Sequence, residues 1–209
     1  MIEGMARSVL DMSMSLDGFI AGPDDGPANG LGTGGERLHA WLFDGDQVRE
    51  TAGTPTLRTS AESVPLVDEM LATGAVLTGR RTFDAAGGWG GDHHDGVRIE
   101  VLTRTGPGPD AVRGPHVHYA TDGIEAAMAR ARAAAGDRDV LVHGATTAQL
   151  ALRAGVLDEL QIHLVPVLLG GGRSLFGTLG IEPRHLDVTR VVDAPGVTHL
   201  RYHVTNPDP

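Results

Sequence analysis

Residues 75–83 read Ala75-Val76-Leu77-Thr78-Gly79-Arg80-Arg81-Thr82-Phe83, an apolar segment that turns abruptly into glycine and arginine. The first four residues have the length and composition of a short buried β-strand. In open α/β sheets, ligands bind at the carboxyl ends of the strands. Gly79 permits close approach of the backbone, the helix start that follows offers free N–H groups, and two guanidiniums supply positive charge. The segment therefore predicts a strand that ends in an anion-binding corner.

Two later segments have the same form. Ile99-Glu100-Val101-Leu102-Thr103 runs into Arg104, and Val140-Leu141-Val142-His143 runs into Gly144-Ala145-Thr146-Thr147. The pattern predicts that these buried strands alternate with helices. An Ala-rich helix is expected over 123–135, and a second helix over 148–154.

The arginines at the predicted strand ends indicate the kind of ligand. In an acidic protein, Arg80, Arg81 and Arg104 at neighbouring strand ends suit a dinucleotide that carries a 2'-phosphate. Small and hydroxyl residues at a helix N-terminus, as at 144–147, suit its pyrophosphate. Two alternatives stay open. The arginines could pair with surface carboxylates, and Thr146 or Thr147 could be an ordinary helix N-cap.

The ends of the chain complete the predicted sheet. Apolar and polar residues alternate from Leu10 to Leu16, which indicates an opening strand with one apolar face. Segments 159–169, 186–193 and 197–205 are predicted strands without intervening helices. Strands that alternate with helices and are then followed by strands alone predict an α/β fold: a mostly parallel sheet with antiparallel C-terminal edge strands. A length of 209 residues suits a single domain over 1–209.

Composition excludes several classes of partner and site. Seventeen basic against 27 acidic residues give a net charge of -10, which repels nucleic acid and anionic membranes. The absence of Cys removes disulfides and thiolate metal sites and gives no sign of an oxidising compartment. No secretory signal is predicted over 1–15, and no window has the length and hydropathy of a membrane span, so we expect a cytoplasmic protein.

Three weaker signals carry less weight. Residues 30–35 match the spacing G-x-G-x-x-G, but no apolar strand precedes them, as a dinucleotide fingerprint would require. His93 and His94 stand in a glycine-rich loop with no third ligand spaced to help, so we expect exposed histidines and no metal site. A hydrolase motif such as Gly-x-Ser-x-Gly does not occur.

With these segments in place, the chain resembles the dihydrofolate reductase superfamily. It is most similar to the family that joins this superfamily to the C-terminal reductase domain of the bifunctional riboflavin-biosynthesis deaminase/reductase. The likeness runs nearly end to end and implies a three-layer α/β fold with helices on both faces of the sheet. The matching blocks are Ser15-Leu16-Asp17-Gly18-Phe19-Ile20-Ala21-Gly22, 79–83, 101–104, 142–145, and 155–160 with Pro166-Val167-Leu168-Leu169-Gly170-Gly171-Gly172.

The resemblance implies a cofactor, roles for residues and an assembly. The cofactor is NADPH as hydride donor, the partner is a small-molecule substrate, and such proteins are commonly homodimers. The implied cofactor residues are Met12, Ser13, Ile20 and Ala21 at the nicotinamide; Gly79, Arg80, Arg81 and Thr82 at the phosphates; Thr103 and Arg104 at the adenosine and its 2'-phosphate; and His143, Gly144, Ala145, Thr146 and Thr147 at the pyrophosphate.

Two departures from the family bear on the substrate. His143-Gly144 replaces a usual Gly-Gly pair, and the bulk of the His143 side chain bears on whether the backbone can closely approach the cofactor at that point. No carboxylate matches the pterin-binding acid, and Asp68 is the nearest acid. Asp68 or an ordered water would give the proton. Trp41 and Trp89 are candidates to stack on a planar substrate. Hydride transfer to a C=N or C=O of a pteridine, aminopyrimidine or ribosyl-pyrimidine is the predicted reaction.

Two other functions stay open at this stage. One is a nucleotide-binding member of the same fold without turnover. The other is a hydrolase or lyase that uses His143 as a base beside Thr146.

Overall fold

The computed structural model of the chain describes residues 6–26, 28–53 and 55–205. Residues 1–5, part of the N-terminal stretch in which no signal is predicted, lie outside the described residues. The strands are β1 Ser8–Ser15, β2 Phe19–Ala21, β3 Gln47–Arg49, β4 Leu57–Thr59, β5 Ala75–Gly79, β6 Arg98–Leu102, β7 Val117–Ala120, β8 Val140–His143, β9 Glu159–Val165, β10 Arg173–Ser174, β11 Leu186–Ala194 and β12 Val197–Val204. The α-helices are α1 Val64–Leu71, α2 Arg80–Ala85, α3 Ile124–Ala135 and α4 Ala145–Arg153, and Gly35–Leu42 and Gly87–Gly91 form 3-10 helices.

Eight strands form one central sheet in the order β11-β12-β9-β1-β8-β5-β6-β7. The strands from β9 to β7 in this order pair in parallel. At the other edge β12 is antiparallel to β9, and β11 is antiparallel to β12. The prediction of a mostly parallel sheet with antiparallel C-terminal edge strands is confirmed.

Helices cover both faces of the sheet, as predicted. Alternate side chains of a strand point to opposite faces. Leu10, Leu77 and Val142 pack in a core with the alanines of α3 and α4. On the opposite face, Val76 and Leu141 pack with Phe83 of α2, and Trp41 of the first 3-10 helix packs with Val67 of α1.

Several element boundaries differ from the sequence prediction. The predicted strand 159–169 ends at Val165, because Pro166 has no N–H to continue the ladder. The helix predicted from 148 begins at Ala145, directly after Gly144. The segment 44–61, which has no regular apolar pattern, contains the hairpin of β3 and β4. Local pattern does not determine these boundaries, whereas pairing and capping do.

The aspartate in the Ser15-Leu16-Asp17-Gly18 block has a structural role. The Asp17 carboxylate accepts hydrogen bonds from the backbone N–H groups of Leu169 (3.1 Å) and Gly170 (2.7 Å), and from the Ser15 hydroxyl (2.6 Å). A Cβ at Gly172 would lie 2.1 Å from the Ala21 carbonyl oxygen. The two blocks of the resemblance furthest apart in sequence are therefore bound to each other.

Candidate active site

The predicted binding corners meet at the carboxyl ends of adjacent strands. β5 pairs with β6 at Gly79 and Leu102, and with β8 at Thr78 and His143. A Cβ added to Gly144 would lie 2.3 Å from Thr82 Oγ1, and one added to Gly79 would lie 2.9 Å from Thr147 Oγ1. The corners after β5 and β8 are thus in contact, and their backbones are close because both positions are glycine.

The start of α4 has features of an anion site. Gly144 caps the helix with φ 91°, a conformation that favours glycine, and no side chain caps the helix. The first N–H groups of the helix therefore have no capping partner, and the positive end of the helix dipole lies there. Thr147 Oγ1 is buried and has no hydrogen-bond partner in the described part of the chain. These features fit a pyrophosphate, and the N-cap alternative for Thr146 or Thr147 does not apply.

The three arginines at this edge differ in their partners. Arg80 pairs with Asp84 four residues later (2.7 Å), and its guanidinium lies 5.5 Å from the centre of the Tyr119 ring. Arg81 pairs with Asp25 (3.0 Å). The alternative of pairing with carboxylates therefore holds for these two side chains. Arg104 is exposed, and no hydrogen bond or ion pair to it occurs among residues 6–26, 28–53 and 55–205. Of these three arginines, it is the one without a carboxylate partner in the described part of the chain.

The residues predicted at the nicotinamide lie together near the start of the sheet. Ile20 and Ala21 are buried. Met12 is half-buried, and its sulfur lies 3.3 Å from the backbone nitrogen of Gly144. Ser13 is buried and accepts a hydrogen bond from the Trp41 indole N–H at 3.0 Å. This wall therefore touches the α4 corner through Met12, whereas the Ser13 hydroxyl lies on the opposite face of the strand with Trp41.

Behind this wall lies a buried cluster of Asp11 and histidines that the sequence analysis did not identify. Asp11 Oδ1 is 3.1 Å from His163 Nε2, and His163 Nδ1 is 2.6 Å from His199 Nδ1. His199 Nε2 is 2.9 Å from the hydroxyl of Ser63. Asp11 is 8 % exposed, and both histidines are at most 2 % exposed. Their positions on β1, β9 and β12 bring them together across three neighbouring strands.

Burial and mutual contact shift the pKa values in this cluster. Burial alone would raise the pKa of Asp11. The pKa is lowered instead, first by the charge of His163 and its hydrogen bond to the carboxylate, and then by the charges of His143 and His199. Burial, then His163, lowers the pKa of His199 to about 4. Burial, then the charges of His143 and His163, lowers the pKa of His39 to about 4. His39 Nδ1 is buried and has no hydrogen-bond partner within the described residues.

His143 does not obstruct the corner next to Gly144. Its Nδ1 donates a hydrogen bond to the Asp11 carbonyl oxygen at 2.8 Å, and its ring stacks on His93 with centroids 5.3 Å apart. Because a carbonyl only accepts, the Nδ1 of His143 carries the proton and its Nε2 is an acceptor. The imidazole occupies the space beside Asp11 and His93. The close approach of Gly144 to Thr82 therefore depends on the glycine at position 144 and is not affected by the side chain of His143.

The prediction of exposed histidines at 93–94 is wrong. His93 is 4 % exposed, His94 is 0 % exposed, and their Nδ1 atoms are 2.7 Å apart. His94 Nε2 also contacts Thr73 Oγ1 at 3.3 Å. The loop folds inward because Asp92 accepts the Gly96 N–H at 3.0 Å and closes a tight turn. No group of three His, Asp or Glu that could hold a metal ion is found within the described residues.

Trp89 stands in a short left-handed turn. Residues 87–90 have φ of 61°, 61°, 47° and 62°, and Trp89 is the one non-glycine among them. Its indole ring lies 4.6 Å from His93 and 5.9 Å from His143, centre to centre. A bulky side chain with positive φ costs about 1–3 kcal/mol and often marks a functional site. The four surrounding glycines make this placement of an aromatic ring possible.

Trp41, the second predicted substrate residue, and Asp68, the predicted proton donor, lie elsewhere. Trp41 is 8 % exposed, and its ring contacts His163 (4.4 Å) and His199 (4.9 Å), so it is a core residue with no free face for a ligand. Asp68 is half exposed and pairs with Arg49 at 2.6 Å. Neither placement favours the predicted role, because the first side chain is packed and the second is neutralised at the surface.

A cavity of about 690 Å³ lies beside the aspartate–histidine cluster. Asp11 forms part of its wall together with Glu69, Gln161, Arg190 and Arg201. Glu69 pairs with both arginines at 2.6 Å, and these contacts with Arg190 and Arg201 lower the pKa of its carboxyl. The Nε2 of Gln161 is buried without a partner among the described residues. Asp11 is thus the residue of the aspartate–histidine cluster that borders this polar cavity.

Over residues 8–199 the sequence matches the family model of the RibD C-terminal domain. The chain belongs to this family. No curated protein matches it.

Solved structures share the fold. A protein from Shewanella sp. PV-4 that is named as a riboflavin biosynthesis protein is 22 % identical, with a TM-score of 0.69 over 96 % of this chain and 99 % of that one. The deaminase/reductase from Thermotoga maritima is 14 % identical, with a TM-score of 0.59 over 96 % of this chain and 57 % of that one. Dihydrofolate reductase from Enterococcus faecalis is 14 % identical, with a TM-score of 0.54 over 96 % of this chain and 97 % of that one.

These likenesses confirm the dihydrofolate-reductase-like fold. Membership of the RibD C-terminal domain family supports an oxidoreductase. No helix in the described part of the chain is long and apolar enough to cross a membrane.

Proposed function

We propose that the protein is an NADPH-dependent reductase that transfers a hydride to a C=N or C=O of a small heterocycle of the pteridine, aminopyrimidine or ribosyl-pyrimidine type. The observation that carries the proposal is the contact of the glycine corners at Gly79 and Gly144 beside an uncapped helix. Two of the similar structures support it. One is a 5-amino-6-(5-phosphoribosylamino)uracil reductase, and the other is a dihydrofolate reductase complexed with NADP(H).

The residues present fit the cofactor. The N–H groups at the start of α4 and Thr147 Oγ1 would hold the pyrophosphate, and Gly79 would allow the backbone to approach it. Arg104 would hold the 2'-phosphate, because no carboxylate among the described residues competes for it. Bound NADPH supplies the hydride. The wall from Met12 to Ser13 would then orient its reactive ring.

Aromatic and polar groups beside this wall would hold the substrate. Trp89 packs against His93 and His143, and its ring is partly exposed. A planar heterocycle could stack on this ring. Reduction also needs a proton. The backbone oxygen of Asp11 binds His143 beside the Gly144 corner at 2.8 Å, and its carboxylate is unpaired with any arginine in the described residues, whereas Asp68 pairs with Arg49. We therefore assign proton supply to Asp11.

The hydrolase alternative is not favoured. A base must hold a free nitrogen against the hydroxyl that it activates. His143 Nδ1 binds the Asp11 carbonyl oxygen, and in the described part of the chain no hydrogen bond joins the other ring nitrogen to the Thr146 hydroxyl that it would have to activate.

We also propose a homodimer. β11 is an edge strand, and Val188 and Val191 on it are 62 % and 59 % exposed. Exposed apolar residues on an edge strand are a surface that proteins usually cover. Light scattering of the purified protein measures its mass directly, and a monomer at all concentrations would contradict the proposal.

The function is tested by the affinities for NADPH and NADH of the wild type and of Arg104→Ala. Loss of a charge-assisted contact to phosphate costs about 1.5–3 kcal/mol, so NADPH should bind about tenfold or more weakly and NADH should be unchanged. Arg58→Ala, an exposed arginine of β4, is the matched control and should alter neither. Equal weakening of both cofactors would remove the assignment of Arg104. NADPH oxidation with dihydrofolate and 5-amino-6-(5-phosphoribosylamino)uracil then tests turnover.

A further inference from the structure

A hydrogen-bonded chain of side chains runs from Asp11 to a turn at residues 60–63. Its four links are Asp11 Oδ1 to His163 Nε2 (3.1 Å), His163 Nδ1 to His199 Nδ1 (2.6 Å), His199 Nε2 to Ser63 Oγ (2.9 Å) and Ser63 Oγ to Ser60 Oγ (3.2 Å). The middle members are buried, whereas Ser60 is half-buried next to exposed Ala61. The chain thus connects an internal carboxylate to the neighbourhood of solvent.

The protons of this chain have one consistent arrangement when Asp11 is ionised. A carboxylate only accepts, so His163 Nε2–H donates to it, and the Nδ1 of His163 is left as an acceptor. His199 Nδ1–H then donates to His163, and the Nε2 of His199 accepts from the Ser63 hydroxyl. Ser63 in turn accepts from Ser60. Each link holds one proton, and all the donors point towards Asp11.

The reverse arrangement is equally complete. If each proton moves along its link towards Asp11, the carboxylate becomes a carboxylic acid and each imidazole stays neutral in its other tautomer. Ser60 then takes a proton from solvent. The net result of this shift is the transfer of one proton from the surface to Asp11, with no charged histidine left behind.

We propose that this chain is a proton relay that reloads Asp11 during reduction. The inference rests on the proposed function for its purpose. The chain through His163, His199 and Ser63 first brings a proton to the resting Asp11 carboxylate. As the substrate carbon gains the hydride from NADPH, the π electrons of the C=N bond form a new N–H bond with that proton, and Asp11 returns to its ionised form. Asp11 is the catalytic residue, and the other three are positioning residues that act through it.

The surroundings of Asp11 agree with an ionised resting state. His143 of β8, His163 of β9, His199 of β12 and His39 of the 3-10 helix face it, and Glu69 of α1 lines the same cavity. The histidines lower the pKa of Asp11 against the effect of burial. The pKa of His199, about 4, keeps that ring neutral near pH 7, as the relay requires.

The chain is distinct from the hydrogen bonds that only complete the core around it. Thr59 is fully buried next to the same elements, and its hydroxyl donates to the Trp41 carbonyl oxygen at 2.9 Å, outside the relay. Thr59→Val therefore removes a buried hydroxyl of the same region without cutting the chain. It is the matched control for Ser63→Ala.

The first test needs no ligand. In ¹⁵N-histidine-labelled protein at neutral pH, the proton of His163 should reside on Nε2 and that of His199 on Nδ1. Exchange of the His199 proton with solvent should be at least about tenfold slower in Ser63→Ala and unchanged in Thr59→Val. The same nitrogen protonated in both rings, or equal exchange in the two variants, would overturn the relay.

The second test uses NADPH oxidation with dihydrofolate and with 5-amino-6-(5-phosphoribosylamino)uracil. Asp11→Asn should lose about 10²-fold in kcat. Ser63→Ala should lower kcat about tenfold with KM unchanged and raise the solvent deuterium isotope effect, and Thr59→Val should do neither. A wild type that turns over with no change in Ser63→Ala would refute the relay and leave the function standing. A wild type that oxidises no NADPH but has the expected tautomers and exchange would refute the function and retain the proton path to Asp11.

Discussion

Replacing Gly144 by alanine tests the contact between the two binding corners. Gly144 has φ 91° and ψ 147°, a region open almost only to glycine, and the new Cβ would lie 2.3 Å from Thr82 Oγ1. The backbone conformation costs about 1–3 kcal/mol for a residue with a side chain. The clash adds about 1–3 kcal/mol. We therefore expect Gly144→Ala to lower the free energy of unfolding by about 2–6 kcal/mol.

Gly123 provides the matched control. It also precedes a helix, with φ 96° and ψ 171°, but a Cβ there would meet no atom within 4 Å. Gly123→Ala should therefore lower the free energy of unfolding only by the cost of the backbone conformation, about 1–3 kcal/mol. Urea unfolding of both variants measures the difference, and adding Thr82→Ala to Gly144→Ala should recover part of it. If Gly144→Ala is no more destabilising than Gly123→Ala, the corners are not in contact as described.

The remaining predictions concern pH and the two tryptophans. The pKa values of His39 and His199 lie near 4 in the folded protein, lowered first by burial and then by neighbouring histidines, against about 6.5 when unfolded. The unfolded chain therefore binds more protons between these two pH values, so the free energy of unfolding should fall as the pH drops from about 6.5 to 4. The fall should be less steep in His199→Phe. A free energy of unfolding that does not change over this range would refute the burial of these rings. Trp41→Phe leaves Ser13 without its donor and should cost about 1–3 kcal/mol in urea unfolding. Trp89→Ala should cost less stability and instead raise KM for the heterocycle, and unchanged KM would exclude Trp89 from the substrate site.

The fold was predictable because its signals are local. Buried strands that end in glycine, such as Ala75–Gly79, are visible as short apolar runs, and the order of strands and helices fixes the class of sheet. The likeness of blocks 15–22 and 166–172 to a known family added the connectivity. The structure gives these blocks a physical link, since Asp17 binds the backbone of Leu169 and Gly170.

The polar cluster was not predictable in the same way. His163 and His199 are 36 residues apart and meet only because β9 and β12 pair at these two positions. Alternation in β1 places Asp11 on the face opposite Leu10, which was a usable signal, since a charged residue there must find a buried partner. The identity of that partner depends on strand register, which one sequence does not contain.

The partners of the arginines also depended on tertiary structure. Arg80 meets Asp84 one turn later, which helical spacing could indicate. Arg81 of α2 meets Asp25, 56 residues away in the segment after β2. Arg104 is the arginine of the three without such a partner in the described residues, and it is the one on which cofactor choice is proposed to depend.

A crystal structure of the protein with NADPH tests the central claim most directly. We expect the pyrophosphate against the start of α4 and the Gly79 corner, the 2'-phosphate within hydrogen-bonding distance of Arg104, and the nicotinamide beside Met12 and Ser13. NADPH bound in the cavity of about 690 Å³ beside Glu69, or bound away from both glycine corners, would contradict the account.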